Sequence, residues 1–65
     1  MQHSIVWKQG SLPIERETSS IAKLSDVITN AENRASHMRK RFPDRTLDSF
    51  DVYDVIGRLV AIQKI

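Results

Sequence analysis

The chain has 65 residues, no cysteine, 10 basic and 8 acidic side chains, and a formal net charge of +2. That length holds one small domain, residues 1–65, with a thin core. The missing cysteines exclude a disulfide scaffold and a thiolate zinc site, and so mild a charge prescribes no polyanionic partner by itself. The longest strictly apolar run, Leu59–Ile62, falls far short of the roughly twenty residues that a bilayer span needs. The opening stretch Met1–Lys8 lacks the long apolar region of a secretory signal. The expectation is a cytoplasmic chain with no membrane attachment.

Ile5, Val6 and Trp7 lie together within Ser4–Gln9 and predict a short strand, broken off by Gly10, Ser11 and Pro13. Trp7, the only tryptophan, is expected to anchor the core because an indole buries so much area. Leu12 and Ile14 then lead into Glu15-Arg16-Glu17, a charged connection that can run extended along a sheet edge or form a loop.

Thr18, Ser19 and Ser20 are each able to cap a helix N-terminus. Beyond them Ile21, Leu24, Ile28, Ala31, Ala35, Met38 and Phe42 recur at alternating spacings of three and four, with Val27 beside them. This stripe predicts one long helix of about six turns. Pro43 disfavours helical geometry at Phe42, and Arg39-Lys40-Arg41 suits the negative end of the helix dipole.

The segment from Phe50 to Ile65 is dense in β-branched and aromatic residues, and its apolar positions scatter around a helical wheel. It reads as a β-hairpin. Asp54-Val55-Ile56-Gly57 has Asp and Gly at the first and fourth positions of a type I turn, so Gly57 is expected in the left-handed conformation. Asp54 then faces Arg58, Tyr53 faces Leu59, Val52 faces Val60, Asp51 faces Ala61 and Phe50 faces Ile62. In that register Phe50, Val52, Val60 and Ile62 form the core face, and Tyr53, Leu59 and Ala61 point the other way. The fold expected is α+β: a two-layer domain of order β-α-β-β, one long helix on one face of a short antiparallel or mixed sheet.

Chemistry is thinly represented. His3 and His37 stand far apart in different elements, and Gly10 and Gly57 form no phosphate loop. The acids Asp44, Asp48, Asp51 and Asp54 sit at turns and strand entries rather than in a convergent cluster. The reading is a non-enzymatic chain with no cofactor, metal site or small-molecule substrate. Apolar side chains on the uncovered sheet face and in the turn, Tyr53, Val55, Ile56, Leu59 and Ala61, point instead to a protein interface, with a homodimer or a larger protein as partner. The alternative is a nucleic-acid-binding role for Lys23, Arg34, His37 and Arg41, which a helical wheel sets opposite the apolar stripe.

Overall fold

The strand predicted over Ser4–Gln9 begins one residue earlier, as β1 (His3–Gln9), and turns through Gly10 and Ser11 into β2 (Leu12–Ser19). Gly10 has φ +59 and Ser11 does not share a positive φ, the sign pattern of a two-residue II′ hairpin turn. In this computed structural model, which describes residues 2–65, the chain continues through α1 (Leu24–Asn33), α2 (Ala35–Arg41), β3 (Ser49–Tyr53) and β4 (Leu59–Lys64). The α+β class holds. The element order β-α-β-β does not, because Leu12–Ser19 is a full strand.

All pairings are antiparallel and the strand order is β2-β1-β3-β4. The helix starts later than its serines suggest because Thr18 and Ser19 pair with Ser4 and His3. The Ser19 hydroxyl instead accepts from the Ile21 N–H at 3.2 Å, shaping the exit from β2. Lys23 takes the cap position of α1 without a side-chain bond.

The predicted long helix is two short ones, interrupted at Arg34, whose φ −97 and ψ 0 lie in the bridge region. The Arg34 N–H bonds to Ala31 O at 3.1 Å, a tightened turn. The guanidinium there is held by the Glu17 carboxylate of β2 and by Asn30, and lies 5.9 Å from the centre of the Trp7 ring. The apolar stripe survives this break. Val27, Ala31, Ala35 and Met38 are buried, and Ile21, Leu24, Ile28 and Phe42 pack around them.

Beneath the helices lie Ile5, Trp7, Phe50 and Val52, joined by Leu47 from the entry to β3. Trp7 and Phe50 are cross-strand partners with ring centroids 5.1 Å apart and planes tilted by 50°. Such a pair adds about 0.5–1.5 kcal/mol beyond burial, and each fully buried large side chain contributes about 1.5–3 kcal/mol. Among the described residues no helix covers the opposite face, which shows Arg16, Val6, Asp51 and Ile62 in one cross-strand row and Thr18, Ser4, Tyr53 and Leu59 in the next.

Candidate interaction surface

The turn between β3 and β4 forms as its residues dictate. Gly57 N–H bonds to Asp54 O at 3.0 Å and Asp54 N–H to Arg58 O at 2.9 Å, with Gly57 at φ +88. The Asp54 carboxylate accepts from the Arg58 and Ile56 N–H groups at 2.9 and 3.0 Å, and from the Arg58 guanidinium at 3.1 Å. The backbone bond from Arg58 holds the Asp54 carboxyl below its ordinary range, helped by the guanidinium and the Ile56 amide and opposed by desolvation. With the backbone pinned this way, Val55 and Ile56 project from the tip at 63% and 71% exposure.

Tyr53 pairs with Leu59 as the turn requires, but one residue further the register slips. Val52 faces Ala61, Asp51 faces Ile62 and Phe50 faces Gln63, which leaves Val60 as an inserted bulge residue. The bulge reverses the expected faces. Ala61, placed by the sequence reading on the open side, packs with the core, whereas Val60 and Ile62, expected in the core, are exposed. Ile62 is 65% exposed and Leu59 48%. No glycine or proline marks the bulge, so the residues around Val60 carry no local signal for it.

β4 is also a sheet edge with no strand on its outer side among the described residues. The Ile65 N–H donates to Asp48 O at 3.0 Å, so Ile65, Gln63 and Ala61 turn their backbone groups toward β3. By strand alternation those of Ile62 and Lys64 point outward.

Of the four residues proposed to track phosphates, two are ion-paired. Arg34 and Arg41 reach down to Glu17 and Glu15 of β2, and Arg41 lies 5.3 Å from the centre of the Phe42 ring. Lys23 and His37 are exposed. The acids are dispersed: Asp51 is buried against the Lys8 ammonium at 3.2 Å, and Asp48 accepts from the Gly10 N–H at 3.0 and 3.1 Å. Among the described residues no three His, Cys, Asp or Glu side chains are placed to hold a metal, and no helix is long and apolar enough to cross a membrane. A cleft of about 300 Å³ beside the tip, lined by His3, Ala22, Leu24, Val55 and Ile56, lies at the low end for small-molecule sites.

No family model, no curated protein and no solved structure matches this chain.

Proposed function

We propose that this chain is a small non-enzymatic interaction and oligomerisation module that works through the tip and edge of its second hairpin. One observation carries the reading: of the six large hydrophobics exposed among the described residues, five fall between Val55 and Ile62. Scattered exposed hydrophobics need no explanation, but a contiguous group is characteristic of a contact surface. Tyr53 extends the group on the open face beside Leu59. A cytoplasmic setting belongs to the same proposal, and the absence of cysteine is compatible with it. The nucleic-acid alternative gains nothing from Arg34 and Arg41, whose charges are met by Glu17 and Glu15.

The test compares the wild-type chain with Tyr53→Glu and Leu59→Glu by sedimentation velocity across a concentration series. Wild type is expected to associate and both variants to associate less, with unchanged circular dichroism. Indistinguishable sedimentation of all three as single chains at about 1 mM would remove self-association from the proposal.

A further inference from the structure

We infer that the occupant of the β4 edge is a second copy of this chain, paired antiparallel about a two-fold axis at Ile62, so that the two sheets run on as one. The inference rests on the interaction reading above and adds to it a partner, an edge and a register.

The partner follows from the asymmetry of the sheet. Strand addition between copies can join β4 to β4, β4 to β2, or β2 to β2. The β2 edge is obstructed by Pro13, which brings no N–H, and by the register shift that leaves Ile14 unpaired. Its Glu15 and Glu17 are also tied to Arg41 and Arg34 of the helices. Head-to-tail growth from β4 to β2 would make an open filament, and β2 is the edge that resists it. Joining β4 to β4 uses the same patch twice and closes at two copies.

The register follows from backbone direction and charge. With Ile62 opposite its own copy, the outward N–H and C=O groups of Ile62 exchange both bonds across the axis, as an antiparallel hydrogen-bonded pair requires. Val60 then meets Lys64, Ala61 meets Gln63, and no like charges stand opposite one another. Centring on Ala61 sets Arg58 opposite Lys64 of the other copy, like charge against like. Centring on Gln63 puts a non-hydrogen-bonded pair at the axis and pairs only residues 62–64 of β4, against 60–64 in the Ile62 register; centring on Lys64 sets ammonium against ammonium, and centring on Val60 falls on the bulge. The Ile62 register combines the longer overlap with the absence of like-charge pairs, and it lays the two copies of Ile62 side by side on the open face.

The area argues for a reversible dimer. Residues 59–65 offer seven positions a side, well below the roughly 20–30 of a standard stable interface. The pairing is therefore expected to be micromolar or weaker, with single chains dominant when dilute.

The test makes Ile62→Lys and Ile62→Glu, changes at an exposed side chain that leave the core intact. Each variant alone places like charges at the axis and is expected to lose dimer at least tenfold relative to wild type. An equimolar mixture is expected to recover it as a heterodimer. In the wild type, amide exchange followed by NMR is expected to slow at Ile62 and Lys64 as concentration rises. A dimer whose Ile62 and Lys64 amides exchange at unchanged rates would overturn the edge pairing and leave the interaction reading standing. A wild-type chain that stays single at about 1 mM would overturn the inference outright, since a weak pairing of this kind should be populated there.

Discussion

At one border of the sheet β2 carries Pro13, an unpaired Ile14 and two carboxylates held by helix arginines; at the other, β4 carries Leu59, Val60 and Ile62 and no acid. Both edges contain a register shift, so irregularity alone does not distinguish them. What differs is which side chains the shift exposes. In β2 the inward positions go to Glu15 and Glu17, which bind the helices to the strand while breaking up the edge. In β4 the shift sends Ala61 inward and leaves Ile62 outside. An edge can be guarded or left available by the residues around one bulge, and this chain has one of each.

The contrast between hairpin core and hairpin edge breaks most visibly at Phe50. Phe50→Ala removes a fully buried ring and should cost about 3–5 kcal/mol, enough to leave little of so small a domain folded. Ile62→Ala, on the same hairpin, should stay within about 0.5 kcal/mol for the dilute single chain. Urea titration followed by Trp7 fluorescence reads both.

A smaller effect is expected at the seam between the hairpins, where Lys8→Met leaves the buried Asp51 carboxylate without its ion partner. The expected cost is about 1–3 kcal/mol in the same titration. Glu17→Gln on the β2 edge should cost less than about 1 kcal/mol, because both members of that pair remain partly exposed. A larger loss at Glu17 than at Lys8 would reverse the ranking. At the tip, Gly57→Ala forces an alanine to φ +88 and should destabilise the chain by about 1 kcal/mol.

The smallest effect concerns pH. The Asp54 carboxyl is lower in the folded than in the unfolded chain, so its contribution is complete above the unfolded value and is lost as pH falls through the folded one. Thermal unfolding below the ordinary aspartate range, about pH 4, should therefore decline more steeply with acid in wild type than in Asp54→Asn. Equal slopes would show that the tip bonds do not stabilise the ionised form.

The parts legible in the sequence are those set by short-range chemistry. Asp54 and Gly57 specify their own turn, and with it the facing of Asp54 to Arg58 and Tyr53 to Leu59. The stripe from Ile21 to Phe42 identifies the buried helical side because its spacing is regular. Long-range pairing decides the rest. β2 does not read clearly as a strand because Glu15 and Glu17 occupy its helix-facing positions, inverting the usual alternation. Arg34 interrupts the helices with neither glycine nor proline nearby, drawn to a carboxylate 17 residues away. Leu47, a buried core residue, stands alone among polar neighbours with no periodicity to announce it. For the candidate surface, Val55, Ile56, Leu59 and Tyr53 were legible from the turn register, whereas exchanging Ala61 for Ile62 required the bulge.

The asymmetry of the two edges is tested most directly by sedimentation equilibrium on wild type, Ile62→Lys and Thr18→Lys, the last a charge added on the guarded strand. Between about 10 μM and about 1 mM, wild type and Thr18→Lys should climb from the mass of one chain toward that of two and stop, while Ile62→Lys stays at one. Equal loss of association from Thr18→Lys and Ile62→Lys, or a wild-type mass that never leaves one chain, would contradict the account.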